Sequence, residues 1–509
     1  MTRTTRSLLT ALLVAASLPL AVAAQDEAAT PAVRTVELPS AGSPLVAVRL
    51  QFEVGSVDDP AGKEGLAALT AQMLASAGTA ERSYAELVDA LYPMAASIDV
   101  NTDRELTVIS GLVHVDTLAD YTALLTEAVL HPGFAENDFE RNRAQLEAYL
   151  TNTLRAANDE LLGLETLQQV IFAGHPYEHS PAGTVAGLGA ITLDDVKSFY
   201  ASHFTPDRLT VGVAGGYPDG YGASLAAKLA ALPAGPSAPR PVIPAPAAPE
   251  GRSFTLVDKA TDSVGIHFGF PLPLTRADAD YYPLMVANSY LGEHRTFHGR
   301  LMQQLRGERG LNYGDYSYIE YWEAPPFTSA PSPGVARHRQ YFSVWIRPVQ
   351  PPTAHFALRA GLSEVDRLIE KGLTEDEFQL TRSFLVNYSK LWAQTLPDRL
   401  GFLMDSEYLG MPYWIDEIAS RLAGLDVETV NAAVRKYLST ASYDAVFVTD
   451  DAAEVKAYLE ADEPSPMEYN AAKPDAILEA DKAIEKRKVE PTSVTIVPAS
   501  EMFEGGSSE

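Results

Sequence analysis

The sequence predicts an α+β protein of two homologous domains, each a mixed or antiparallel sheet packed with helices. Three observations carry that prediction. A proline-rich segment, PAGPSAPRPVIPAPAAP at 233–249, divides the chain into parts of similar length and cannot itself form a packed element. The two parts run through the same order of strand-like and helix-like segments. In both, a glycine after a helix is followed six residues later by Phe and four after that by Arg: Gly133, Phe139 and Arg143, then Gly372, Phe378 and Arg382. A chain of 509 residues is too long for one core, so a duplication also suits its length.

In chain order, Arg3 and Arg6 precede the apolar run Leu8 to Val22, and Ala21-Val22-Ala23 supplies small residues for cleavage. Residues 1–24 therefore read as a signal peptide, with a mature start near Ala24 or Gln25 and an exported, periplasmic destination. The run is too short for a stable membrane span, and no integral membrane segment is expected after its removal. The first domain, 25–232, opens with alternating Val46, Val48, Leu50, Phe52 and Val54, passes the turn Asp59-Pro60-Ala61-Gly62-Lys63, and enters a helix from about Gly65 to Ser76. A strand pair follows at Ser97–Val100 and Leu106–Val113, then a helix Leu118–Leu130 that ends at Gly133, where a left-handed residue is expected. The helix Leu193–His203 and strand Leu209–Val213 close this part.

Residues 233–252 read as a semi-rigid linker, and 253–462 as the second domain. Its opening strand carries Val264, Ile266, Phe268 and Phe270; a strand pair falls at Tyr313–Ile319 and Gln340–Ile346. The helix Phe356–Ile369 ends at Gly372, and Thr374 with Glu377 forms a capping box for the next helix. The helix Val427–Leu438 and strand Ala445–Val448 complete the repeat. The arm 463–509 holds a helical stretch, Asp475–Lys486, and a strand candidate, Ser493–Val497, expected to pack over a domain or a partner, with Gly505–Glu509 disordered.

Composition excludes several classes of function. A net charge of −28 argues against nucleic acid or an anionic membrane as partner. The absence of cysteine removes disulfides, thiolate metal sites and cysteine nucleophiles together. No phosphate loop, G-x-S-x-G elbow or dinucleotide fingerprint occurs.

Three stretches carry a resemblance to a known family: FEVGSVDDPAGKEGLAALTAQML, FAGHPYEHSPAGTVAGLGAITLDDVKSFYASHFTPDRLTVGVAGG and LMQQLRGERGLNYGDYSY. The chain resembles a bacterial two-domain member of the insulinase/pitrilysin-type metallopeptidases, which include the mitochondrial processing peptidases. Active members carry the zinc motif H-x-x-E-H and a glutamate ligand about 75 residues later. At the motif positions this chain has Ala68, Ala71 and Gln72, with Ala68 and Gln72 four residues apart and sharing one helix face with Ala71. The third-ligand region falls near Glu147–Tyr149, where Ala148 fits the spacing best and Glu147 is the nearest acid. Methyl groups and a neutral amide neither hold zinc nor activate water, so no catalytic residue and no metal bound by this chain is expected.

The resemblance also implies a substrate-facing pair, Arg306 and Tyr313, in the pattern R-x-x-x-G-L-x-Y. A guanidinium and a phenol can hydrogen-bond the carbonyls of an extended peptide. Their structural alternatives are Arg306 capping a helix end and Tyr313 packing in a strand. Among the ten histidines, His294 and His298 at helical i, i+4 spacing are a second candidate metal pair if a third ligand arrives from elsewhere. His175 and His179 read as structural hydrogen-bonding groups. The aromatics Tyr321, Trp322 and Phe327 form either a sticky surface or a hairpin cap. Three functions follow as expectations: a non-catalytic subunit pairing with a zinc-bearing homologue, which holds the zinc; a peptide-binding scaffold, alone or as a homodimer; and a metallopeptidase using a non-standard site.

Overall fold

The computed structural model describes residues 33–235, 237–322 and 328–506. The expected signal peptide and Phe327 lie outside the described residues. Among those described, no helix is long and apolar enough to cross a membrane.

Among the described residues eleven strands form two sheets: β1 Arg34–Pro39, β2 Leu45–Phe52, β3 Asp99–Thr102, β4 Thr107–His114, β5 Leu209–Gly215, β6 Arg252–Asp258, β7 Val264–Leu272, β8 Asp315–Tyr318, β9 Gln340–Val349, β10 Tyr443–Thr449 and β11 Ser493–Pro498. The first sheet has the order β1-β5-β2-β4-β3 and the second β11-β6-β10-β7-β9-β8. Without β11 the orders correspond strand for strand. So do the directions: β1 runs parallel to β5 as β6 does to β10, and every other pairing is antiparallel. The repeated Phe and Arg also make the same contact twice, Arg143 over Phe139 at 5.2 Å and Arg382 over Phe378 at 5.0 Å.

The repeated helices form for local reasons. Thr374 and Glu377 make the reciprocal capping box that starts the helix Glu375–Tyr388, and Thr192 with Asp195 does the same for Leu193–His203. Gly372 ends its helix at φ +66°, as expected. Gly133 does not: the left-handed residue after Leu118–Leu130 is Phe134, at φ +46°. What requires glycine at 133 is close approach, because a Cβ there would lie 2.6 Å from the Thr79 carbonyl.

Strand β5 is buried at every residue, the pattern of a strand covered on both faces. Its second cover comes from the other half of the chain. The helix Leu396–Tyr408 packs across β2 and β5 of the first sheet, while Asp159–Ile171 packs across β7 and β10 of the second. Each crossing has a small residue at its closest point. A Cβ on Gly163 would lie 2.5 Å from the His267 ring, and one on Gly212 of β5 would lie 2.2 Å from Met404 Sδ. The two halves thus exchange helices rather than merely touching.

Charge fixes the same seam. Arg337, 1% exposed, grips Asp103 with two hydrogen bonds of 2.7 and 2.6 Å and reaches Gln168 at 2.9 Å. Beside it Glu105 accepts from the His338 backbone N–H at 2.6 Å, and its Oε2 lies 2.6 Å from His338 Nδ1. Burial pushes the Glu105 carboxyl up, but His338, Tyr177 and Tyr408 outweigh it and hold it below its ordinary range.

The C-terminal arm is part of the fold. Strand β11 extends the second sheet beside β6, and Asp481 of the helix Asp475–Ile484 pairs with Arg309 at 2.8 Å. The chain then crosses back to the first domain, where Met502 and Phe503 are buried in its core. Val185 and Ala186 donate backbone hydrogen bonds to the carbonyls of Phe503 and Glu504 at 2.9 and 2.8 Å. Gly505, expected to be disordered, instead lies against Thr184; residues 507–509 are outside those described.

Candidate functional site

The helix Leu66–Ala75 forms where the sequence places it. Asp59 accepts the N–H groups of Gly65 at 2.8 Å and Ala67 at 2.7 Å, satisfying donors that a helix start leaves open. Burial raises the Asp59 pKa, against the opposing pull of His179, whose Nε2 lies 3.1 Å away. His175 works beside it: Nδ1 accepts from the Tyr177 N–H at 3.0 Å, so Nε2 carries the proton and donates to Pro244 O at 2.9 Å. These histidines brace the helix start and hold the proline-rich linker, the structural role expected of them.

Ala68 and Gln72 open onto a cavity of about 330 Å³. Its other walls include Val100 and Thr102 of β3, with Gln145, Tyr149 and Tyr321. Strand β3 is the free edge of the first sheet, so the cavity lies beside an unpaired row of backbone groups. Ala71 is fully buried in the core and is not on the cavity wall. Gln72 Oε1 is buried with no hydrogen-bond partner among the described residues.

Within the expected third-ligand region, Glu147–Tyr149, the residue on the cavity wall is Tyr149 rather than Ala148. Glu147 is exposed, and neither it nor Ala148 lines the cavity; Gln145 and Tyr149 do. The helix Glu136–Ala148 passes at Tyr149 into wider π-type turns that run to Ala157. Two carboxylates reach the cavity, and both have cationic partners: Asp103 is held by Arg337, and Glu165 lies 3.5 Å from Arg104. Among the described residues no other carboxylate lines the cavity.

The Arg306–Tyr313 pair is elsewhere, outside this cavity. Arg306 sits in the last turn of Met302–Gly307, stacked over Phe297 at 5.5 Å. Tyr313 is 79% exposed. Among the described residues neither side chain makes a hydrogen bond or ion pair. Both structural alternatives fail. Arg309, not Arg306, takes the helix-end carbonyl, that of Gln304 at 2.8 Å, and Tyr313 precedes the strand β8 rather than packing in it.

The second metal pair is not brought together. The helix Tyr281–Gly292 ends before either imidazole, because Glu293 is extended and Arg295 is left-handed at φ +55°. His294 is buried among aromatics with Nδ1 2.7 Å from the Tyr318 hydroxyl, and burial pushes its pKa down to about 3. His298 is exposed. Among the described residues no group of three or more His, Asp or Glu side chains is gathered to hold an ion. Tyr321 lies under the Arg337 guanidinium at 3.5 Å, and Trp322 packs on His294, so both belong to the hairpin's packing.

Comparison with known proteins decides the family. Residues 35–184 match the family model for insulinase (peptidase family M16), and residues 190–385 match that for the peptidase M16 inactive domain. The chain belongs to the M16 family. It lacks the family's zinc-binding motif and fits an inactive member. It is similar to a non-peptidase homolog of Helicobacter pylori, 25% identical over 400 residues, covering 77% of this chain and 86% of that one. An uncharacterized zinc protease of Streptomyces coelicolor is 26% identical over 408 residues, covering 76% and 81%. The fold is that of an M16 inactive-domain protein from Pseudomonas fluorescens, with TM-score 0.72, 23% identity and coverage of 82% and 96%. It also matches the first half of the periplasmic protease PqqL from Escherichia coli, with TM-score 0.64, 16% identity and coverage of 90% and 96%.

The seam residues Asp103, Glu105, Arg337 and His338 were missed by sequence reasoning. The charged run Asp103-Arg104-Glu105 between two paired strands was the available signal: charge at that density in a buried connection needs partners.

Proposed function

We propose that this M16 member is the non-catalytic subunit of a periplasmic peptidase. It pairs with a zinc-bearing homologue, forms half of the enclosed chamber and helps to position extended peptides. The observation that carries the reading is the state of the Leu66–Ala75 helix. It is capped, packed and open to a cavity beside a free strand edge, yet it presents Ala68 and Gln72 where metal ligands would be. A backbone N–H of a bound peptide would satisfy the buried Gln72 Oε1, and β3 could pair with an added strand. Arg306, half-buried against Phe297, and Tyr313, exposed, make no side-chain hydrogen bond among the described residues and are available to carbonyls of a peptide held partly by the partner.

The test is association followed by activity. This chain is mixed with a zinc-bearing homologue, and complex formation and peptide cleavage are measured together. The reading expects a complex whose cleavage rate exceeds that of the homologue alone. Arg306→Ala should lower the rate while leaving the complex intact. No complex and no change in rate would sink the proposal, and peptide binding by a chain that forms no such complex would favour a scaffold role.

A further inference from the structure

The duplication gives the lost zinc cavity a counterpart in the second domain. Helix Tyr281–Gly292 follows β7 as Leu66–Ala75 follows β2, and Glu375–Tyr388 carries the same Phe and Arg as Glu136–Ala148. Between these two second-domain helices lies a cavity of about 340 Å³, bounded by Tyr290, His298, Gln303, Leu380 and Phe384. In the first domain the space is walled by Gln72 and Gln145; here the facing positions hold Tyr290 and Phe384.

We infer that this second cavity is a side-chain pocket for a large apolar residue of the peptide that Arg306 and Tyr313 hold. The inference rests on the proposed peptide-positioning role and adds a specificity to it. Three observations select the occupant. First, the charges on the wall are paired. Arg300 is bound to Glu364 at 3.0 and 3.2 Å, and Tyr290 donates to Glu377 at 2.6 Å while accepting from Arg367 at 2.9 Å. A charged occupant would find no free counter-ion there. Second, the mouth exposes large apolar side chains: Leu380 is 70% exposed and Phe384 38%. The neighbouring Phe297 is 66% exposed. Third, the pocket adjoins the peptide-facing pair. Gln303 lines it one turn before Arg306, and Arg306 stacks on Phe297, which lies between the wall residues Thr296 and His298. A volume of this size admits an aromatic or branched aliphatic side chain.

The test uses the full chain and capped Ala/Ser peptides with Phe, Ala or Glu at the centre, with affinity measured by calorimetry. Leu380→Glu should weaken the Phe peptide about tenfold or more, as loss of one apolar burial implies, and leave the Ala peptide unchanged. Phe384→Ala should act in the same direction, and Arg306→Ala should weaken all peptides alike. Equal loss for Phe and Ala peptides, or no loss, overturns the inference. So does a Leu380→Glu variant that loses the zinc-bearing homologue while binding peptide normally. N-acetylphenylalanine amide, followed by saturation-transfer NMR, separates the pocket from the peptide reading. Binding to wild type but not to Leu380→Glu supports the pocket even if no longer peptide binds; failure to bind wild type refutes it.

Discussion

Arg337→Met should be among the most damaging single substitutions, although it touches neither cavity's helix. Arg337 is 1% exposed, makes two hydrogen bonds to Asp103 and one to Gln168, and lies 3.5 Å above the Tyr321 ring. Methionine fills most of the volume but leaves Asp103, itself 4% exposed, as a buried carboxylate without a counter-ion. Breaking a buried pair from one side costs about 3–5 kcal/mol, and a desolvated cation–π contact adds up to about 2 kcal/mol. Replacing both partners, Arg337→Met with Asp103→Leu, removes the stranded charge and should recover most of the loss. Urea denaturation tests this with two probes. The four tryptophans all lie in the second half of the chain and report on it, whereas far-UV circular dichroism reports on both halves. In the wild type the exchanged helices should make the two transitions coincide; in Arg337→Met the midpoint should fall and the transitions should separate. A single variant as stable as the wild type, or a double variant no better than the single, would refute the reasoning.

Three further outcomes follow. Ala68→His with Ala71→Glu and Gln72→His should bind zinc weakly in equilibrium dialysis, and adding Tyr149→Glu should tighten it by tenfold or more, whereas Ala148→Glu should not, because Tyr149 is the residue on the cavity wall. Truncation after Pro498 removes Met502 and Phe503 from the first-domain core and should cost about 3–6 kcal/mol at 1.5–3 per side chain, read as a lowered denaturation midpoint. Burial pushes Glu293 up to about 7 from an ordinary 4.5. The folded state therefore keeps a proton that the unfolded state has lost between those values, so stability falls as pH rises through that window; Glu293→Gln should flatten this decline in thermal melts across the same range.

The periodic elements were legible because they obey local rules. The helix Leu118–Leu130 and the capping box at Thr374 lie where spacing and cap chemistry put them. The outer strands β1 and β6 were not legible, since RTVELP and RSFTLVD are short and become strands only by parallel pairing with β5 and β10. The site divides the same way. Ala68 and Gln72 follow from a rigid helical repeat, whereas spacing alone placed the third-ligand region only to within Glu147–Tyr149, of which Tyr149 lines the cavity. The separation of His294 from His298 depends on where one helix stops, and the exchange of helices across the seam leaves no local mark in either half.

The central claim is that this M16 member retains a peptide-holding fold without peptide-cutting chemistry. Incubating the purified chain with zinc and a capped extended peptide, then measuring bound metal, bound peptide and cleavage products in one sample, tests it most directly. The account predicts peptide that is bound and recovered intact, with no zinc retained through dialysis. Stoichiometric zinc together with cleavage abolished by a chelator would contradict it.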